Sequence, residues 1–424
     1  MASQRLTDPL SLCLDLQGFE VLYVNLEEVP GEHGVRRRRK VIGLGDRRGF
    51  HQCSQCGKRH REGFSQEIDA RRWRERSVGD LETFIEITPW RVECCGGTHV
   101  ERFPWAAEGH RMTLRFFDVV AALCTKLAIS VVAEWVNLSW DTVARVDGKA
   151  IRFALGGASP SLDGLKWIGI DEVSRTGGHQ YFTMVTDLKS GRVVWIGDGK
   201  REATLARFFE ILGKKRRRRI ELVVSDLGSG YLGPIEKYVP QARHILDRFH
   251  IVQWVNEALS QLRRRVFGGG PRDAVGRNFK AKKWMLLKAR EDLGQGDKLK
   301  LARLMKLNRP LYRAYLLKEQ LREILHHPWK YLGALEKNLA AWCNAVMRSR
   351  IPEMKRVAKR LRPHFAKVLA AFEVDVRLGL VEAINGVVAL LRRQAHGYRD
   401  VEYFKLKIYQ RCSLDSNPWA EIVL

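Results

Sequence analysis

The sequence predicts an α/β protein: a mixed sheet interrupted by a long all-helical stretch, preceded by a cysteine-bearing segment and a group of short helices. Three observations carry this. Apolar runs of strand length begin at Leu165 and alternate first with turn signals, then with a helical pattern. From His250 to Ala371 the periodicity is helical. Ahead of both, Cys53, Cys56, Cys94 and Cys95 precede a separate helical stretch. At 424 residues the chain exceeds one compact core, so several domains are expected.

Residues 1–48 form an N-terminal segment that alternates weakly from Leu12 and ends in the basic run Arg36 to Lys40. Residues 49–105 hold the cysteines on little apolar content, and such a segment scarcely folds without a metal staple. In residues 106–158, Phe116, Phe117, Val120, Leu123 and Leu127 share one helical face, and a short helix spans Ser130 to Val136. A third helix starts at Trp140, with Ser139 as N-cap and Asp141 favouring the dipole. This is the outline of a helix-turn-helix, in which Arg145, Lys149 and Arg152 face phosphate while Trp140 packs inside. Gly156 to Pro160 reads as a linker.

Residues 159–255 place strands at Trp167–Ile170, Tyr181–Thr186 and Val193–Ile196, separated by Gly177-Gly178 and by Asp187 to Gly191. A helix from Glu202 to Leu212, a strand from Ile220 to Ser225, a short helix near Leu232 and a strand at His244–Leu246 follow. That order is the order of a ribonuclease-H-like mixed sheet. Its crossover from the meander to the fourth strand is parallel. Residues 256–371 read as a helical insertion, broken at Gly268 to Pro271 and at His327-Pro328. Residues 372–412 return to the sheet with a helix from Val376 to Arg393, and 413–424 are a tail without clear structure.

Lys and Arg outnumber Asp and Glu by 74 to 48, a formal charge of +26. The basic runs, Arg36 to Lys40, Lys214 to Arg219, Arg263 to Arg265 and Arg392-Arg393, are spread along the chain. Scattered clusters suit a protein that tracks an extended phosphate backbone. No apolar run is long enough for a membrane span, and the first residues lack a signal-peptide core, so a cytosolic protein is expected. In such a protein the eight cysteines do not read as a disulfide framework.

Asp171 ends the apolar run Trp167–Ile170, Asp226 ends Leu222–Ser225, and Glu382 lies inside the late helix. If the first and fourth strands are neighbours, the two aspartates converge at strand ends, where open α/β sheets place ligands. Their mutual repulsion is offset by a bound Mg²⁺, and a third carboxylate from a facing helix would hold a second ion. Two such ions drive in-line phosphoryl displacement. On the Glu382 helix, Val381, Ile384, Val388 and Leu391 form a core face, and Glu382, Asn385, Ala389 and Arg392 line the next stripe. Glu172, Asp187, Asp198 and Asp247 are competing acids; Asp187 reads as a turn former and Asp247 as the strongest rival.

Ile170-Asp171-Glu172, Ser225-Asp226, Asp247-Arg248-Phe249-His250, Val381-Glu382-Ala383-Ile384-Asn385-Gly386 and Ala395-His396-Gly397-Tyr398-Arg399 resemble, in the same order, the motifs of bacterial insertion-sequence transposases of the DDE type, ISL-three family. The resemblance implies Asp171, Asp226 and Glu382 as a catalytic triad. Asp171 and Asp226 should share one Mg²⁺ or Mn²⁺, and Glu382 should bind the other. Asn385 and Arg392, on the stripe that faces substrate, and Arg393, His396 and Arg399 are candidates for holding DNA beside the pocket.

Cys53-Ser54-Gln55-Cys56-Gly57 is the usual first half of a zinc knuckle. Similar transposases carry a second C-x-x-C about forty residues on, where this chain has Cys94-Cys95-Gly96-Gly97-Thr98-His99. Cys53, Cys56 and Cys94 are the expected ligands of one Zn²⁺, with Cys95 or His99 as the fourth.

The expected function is a DNA transposase that binds terminal inverted repeats, cleaves at the element's ends and joins the 3′-hydroxyls to target DNA. It would act as a homodimer or larger assembly, in the bacterial cytoplasm on the nucleoid. The alternatives are a non-catalytic DNA-binding regulator of the same architecture and a structure-specific nuclease without strand transfer.

Overall fold

The computed structural model describes residues 16–30, 36–66, 69–78, 81–176, 180–226, 230–267, 283–376, 379–395 and 397–414. The chain divides into two compact units, one reaching to Ala154 and one spanning Leu155–Leu414. No helix among the described residues is long and apolar enough to cross a membrane.

In the first unit, β1 (Phe19–Pro30) and β2 (Arg36–Asp46) form a long antiparallel pair. Three short strands follow: β3 (His51–Gln52), β4 (Arg59–His60) and β5 (Phe64–Gln66). Then come β6 (Arg71–Val78), β7 (Leu81–Ile87), β8 (Trp90–Cys94) and β9 (Gly97–Val100). The larger sheet has the order β1-β2-β7-β6, with β2 and β7 parallel. Its core joins Phe19, Ile42 and Leu44 to Trp73, Ile85, Ile87, Phe103 and Trp105. Phe103 and Trp105 stack at 5.0 Å, and Trp73 meets both rings edge-on. One sheet and one core therefore cross residue 48, where a boundary was expected. The cysteine segment gains from β1 and β2 apolar surface that it lacks by itself, in addition to any metal staple.

Three helices complete this unit: α1 (Leu114–Lys126), α2 (Ile129–Val136) and α3 (Trp140–Leu155). The Thr113 hydroxyl accepts the Phe116 N–H at 3.2 Å, and Ser139 Oγ accepts the Thr142 N–H at 3.2 Å, so both starts are capped. Trp140 is 48% exposed, against expectation. The buried face of α3 begins one turn later, at Val143, Val146 and Ala150, and Trp140 overhangs its end.

In the second unit, β10 (Trp167–Ser174), β11 (Tyr181–Asp187) and β12 (Arg192–Asp198) form the antiparallel meander. β13 (Leu222–Ser225) pairs parallel with β10, and β14 (Arg243–Leu246) parallel with β13, giving the order β12-β11-β10-β13-β14. The first and fourth strands are neighbours, as the crossover requires. α4 (Glu202–Arg217), broken at Gly213, and α5 (Leu232–Tyr238) cover one face through Leu205, Phe208, Phe209 and Ile235.

After β14 come α6 (Arg248–Phe267), α7 (Lys283–Leu287), α8 (Gln295–Leu307), α9 (Arg309–His326), α10 (Leu332–Arg348), α11 (Pro352–Leu361) and α12 (Phe365–Leu369). This block has its own core, with Leu259, Leu321, Leu339, Trp342 and Met354 among its members. The chain then returns through α13 (Gly379–Gln394) and α14 (Val401–Cys412), which cover the sheet's other face. Ile384, Val388, Leu391, Phe404 and Ile408 meet Val173, Phe182, Met184 and Val193 there.

Three details differ from the sequence expectation. β10 runs on to Ser174, because its outer edge stays paired with β11 after β13 has stopped, so Asp171 lies mid-strand. α13 starts at Gly379, which puts Glu382 in its first turn, where a carboxylate suits the helix dipole. α14, capped by Asp400 accepting the Tyr403 N–H at 3.0 Å, had no counterpart in the sequence reading. The turn at Gly177-Gly178, the break at Gly268 to Pro271 and the tail beyond Leu414 lie outside the described residues.

Gly169 lets α13 approach: a Cβ there would lie 3.0 Å from Val381 Cγ2 and 2.9 Å from Leu188 Cδ2. Gly169→Val is expected to destabilise the protein by about 1–3 kcal/mol through overpacking, read from the urea midpoint. His244 gives a pH test. Its Nε2 lies 2.8 Å from Ser225 Oγ at the end of β13, and burial, helped by Lys367 and His364, holds its pKa down to about 3. A folded pKa below the unfolded value of about 6.5 stabilises the fold above that pH and ceases to do so as pH falls toward 3. Over that window the wild type should lose more stability than His244→Gln, compared by urea midpoints at several pH values.

Candidate functional site

The parallel pairing of β10 and β13 ends at Ile170↔Ser225, so the next residues, Asp171 and Asp226, follow it side by side. Asp171 is buried. Its Oδ1 accepts the Glu172 N–H at 2.7 Å, and its Oδ2 accepts Asn385 Nδ2 at 2.6 Å. Asn385 lies three residues beyond Glu382 on α13, so the two share a side of the helix. Glu382 itself is exposed. Asp247 caps α6 by accepting the Phe249 N–H at 2.9 Å.

His250, one turn into α6, was missed as a site residue by sequence reasoning. Its Nε2 lies 3.8 Å from Asp171 Oδ1 and 4.0 Å from Asp247 Oδ2. The signal was present: three residues after Asp247 at a helix start, its side chain falls on the capping residue's side.

Burial pushes the carboxyls of Asp171 and Asp247 above the usual range. At Asp171 the shift is opposed by His250, the Glu172 amide and Asn385, and Asp226 adds to it. At Asp247 the Phe249 amide and His250 oppose it, while Asp171 and Glu382 add to it. These acids therefore feel one another. Two acceptors, Asp226 Oδ1 and Asn385 Oδ1, are buried without a hydrogen-bond partner among the described residues. Unpartnered carboxylate and amide oxygens are the donors a hard divalent cation takes, so the residues fit such an ion.

The other acids are otherwise engaged. Asp187 accepts from the Lys189 N–H and from Ser190 Oγ, as a turn former does. Asp198 accepts Lys405 Nζ at 2.7 Å, and Glu172 lies 3.5 Å from Lys200 Nζ.

The expected DNA contacts divide. Asn385 is turned into the pocket rather than outward. Arg392 donates from Nη1 to the Ser174 carbonyl at 3.0 Å, which pins α13 to the end of β10. Arg393 and Arg399 are exposed, and His396 lies outside the described residues. Arg145, Lys149 and Arg152 are exposed along α3. Arg145 lies along its own helix, donating to the Asp141 carbonyl at 3.3 Å, and Lys149 Nζ donates to the Glu108 carbonyl at 2.6 Å.

In the first unit, Cys94↔Gly97 closes a two-residue hairpin between β8 and β9, with Cys95 at φ +55° and Gly96 at +76°. Two positive φ angles define a type I′ turn, and Gly96 supplies the conformation without a Cβ penalty. The Sγ atoms of Cys53, Cys56, Cys94 and Cys95 lie within 4.8 Å of one another. Of the two choices for a fourth ligand, the structure gathers Cys95; His99, out on β9, is not in the group. Adjacent cysteines chelate awkwardly on extended backbone, and the left-handed turn removes that difficulty. The Cys56 thiol is drawn down to about 7, first by the Lys58 backbone, whereas Cys56 and Cys94 push Cys95 up to about 12. Four gathered thiols resist joint ionisation without a cation, and four sulfurs match a tetrahedral structural zinc site.

A family model described as a transposase matches residues 168–408. A model described as the helix-turn-helix domain of transposase family ISL3 matches residues 101–147. The chain is 30% identical over 362 residues to the transposase for insertion sequence element IS1001 of Bordetella parapertussis, covering 84% of this chain and 87% of that protein. It is 33% identical over 374 residues to the transposase for insertion sequence element IS1557 of Mycobacterium tuberculosis (strain CDC 1551 / Oshkosh), covering 82% of each.

Metal analysis of the purified protein is expected to find one zinc per chain, absent from Cys94→Ser and retained by His99→Ala. Zinc lost with His99 and kept without Cys95 would reverse the ligand assignment.

Proposed function

The chain belongs to the ISL3 family of insertion-sequence transposases, and on that footing we propose that it binds the terminal inverted repeats of its element, cleaves there and joins the 3′-hydroxyls to target DNA. The observation that carries this reading is the convergence of Asp171 and Asp226 just past the last parallel pair, with Asn385 from the helix of Glu382 bonded to Asp171. The sheet order and the helical block between β14 and α13 support a ribonuclease-H-like domain (residues 159–255 and 372–412) interrupted by an insertion at 256–371.

Asp171 and Asp226 would hold one Mg²⁺ or Mn²⁺, and Glu382 the other. When bound, such a pair supplies an activated water or 3′-hydroxyl and stabilises the leaving oxygen. Asn385 fixes the Asp171 carboxylate by its amide N–H. His250 lies where it can hold a proton at Nε2 between Asp171 and Asp247. The exposure of Glu382 fits a ligand that engages as DNA arrives. Arg393, His396 and Arg399 would flank the DNA, and the helix-turn-helix and zinc segment would read the element's end. Cutting both ends together calls for a dimer or larger assembly, and a DNA substrate places the protein on the bacterial nucleoid.

Labelled element ends incubated with the protein and Mg²⁺ test this. Cleavage with joining is expected. Cleavage alone would make the protein a nuclease, and binding alone a regulator. Asp226→Ala should abolish both steps, and Asn385→Ala should slow them by about 10–100-fold, as loss of a ligand's supporting hydrogen bond does.

A further inference from the structure

Away from the carboxylates, α8, the start of α9 and Arg290 before them line an open cavity of about 500 Å³. Arg290, Lys298, Lys306 and Arg309 line it, together with Tyr312 and Tyr315, and among the described residues no carboxylate does. The nearby acids are engaged elsewhere: Glu291 with Arg322 at 2.8 Å, and Glu319 with Arg322 at 3.1 Å. Among the described residues, Lys298, Lys306 and Arg309 have no ion-pair partner. Tyr315 is 4% exposed, and its hydroxyl is buried without a hydrogen-bond partner among the described residues. Tyr312, in the first turn of α9, is 46% exposed. The first turn of α9 adds its positive dipole end.

A concentration of cations explains affinity for an anion of any kind, and the tyrosines narrow the choice. Cations that track phosphate combined with an open aromatic ring are the usual elements of a site for single-stranded nucleic acid. The volume falls within the range of small-ligand pockets, about 300–1,000 Å³. We propose that this cavity holds an unpaired nucleotide of a DNA strand, with its phosphate among Lys298, Lys306 and Arg309 and its base against Tyr312. The inference rests on DNA being the substrate and is independent of which acids catalyse.

The test uses the full-length protein without added divalent ion, titrated into a short fluorescein-labelled thymidylate strand and followed by anisotropy. A second strand has the same backbone with abasic sites throughout. Tyr312→Ala should weaken binding of the thymidylate strand by about tenfold and leave the abasic strand nearly unchanged. Lys298→Glu/Lys306→Glu should weaken both strands. Lys214→Glu/Lys215→Glu, the same charge change on exposed residues of α4, should weaken them far less. If Tyr312→Ala binds both strands like the wild type, no base sits there. If the α4 variant costs as much as the cavity variant, the cations act only as part of the general positive field, and the site is overturned. Without divalent ion the measurement does not depend on cleavage, so a protein that never cuts DNA still passes or fails it.

Discussion

The hydrogen bond from Asn385 to Asp171 spans 214 residues of sequence and fixes the carboxylate pocket from the far side. Without it, the first half of α13 would lie against the sheet mainly through apolar contacts, which set distance well and rotation poorly. With it, the helix has a defined azimuth. The Arg392 contact to the Ser174 carbonyl fixes the same azimuth two turns later. Gly169 admits the helix close enough for the short Asn385 side chain to reach. The register of β10 and β13 makes the opposite contribution, since a shift of one residue would turn either aspartate to the other face. Position along the strand and rotation of the helix are therefore separate constraints, and they meet at Asp171.

The first unit solves a different problem. Its cysteine segment is poor in apolar residues, yet Trp73, Phe103 and Trp105 find a core with residues from before position 48. The buried Arg48 contributes too, bonding to Asp46 at 2.5 Å and to Glu101 at 2.6 Å, with His51 3.0 Å from Glu101. A buried cation shared by two carboxylates is costly to break on either side, so it ties β2 to the segment after β9. The four sulfurs then lie on a scaffold that other contacts already order.

Much of the second unit was legible in the sequence because its signals are local. Apolar runs bounded by turn residues located the strands, and the helix between β12 and β13 implied the parallel neighbour that brings Asp171 and Asp226 together. What was not legible depended on pairing. β10 outlasts its apolar run because a neighbour keeps hydrogen-bonding it, and no residue between Asp171 and Ser174 announces that. The sheet shared across residue 48 joins strands far apart in sequence, and weak alternation in β1 gives little hint of its partner. Asn385 was read on the correct stripe of its helix, but periodicity cannot distinguish a group aimed at solvent from one aimed at a buried carboxylate. Nothing in the sequence chooses between Cys95 and His99, because the left-handed turn that brings the Cys95 sulfur to the other three is a matter of backbone angle.

The helical block between β14 and α13 also has a consequence in time. The chain presents Asp171 and Asp226 early, but the helix that completes their surroundings emerges only after the whole block has been translated. At about 5–20 residues per second, that delay is on the order of ten seconds or more. Throughout it the nascent chain carries a half-built pocket, and a messenger cut within the block yields a protein that stays so. A chain order that places the last wall of the proposed site after this block makes translation through the whole block a condition for a complete pocket.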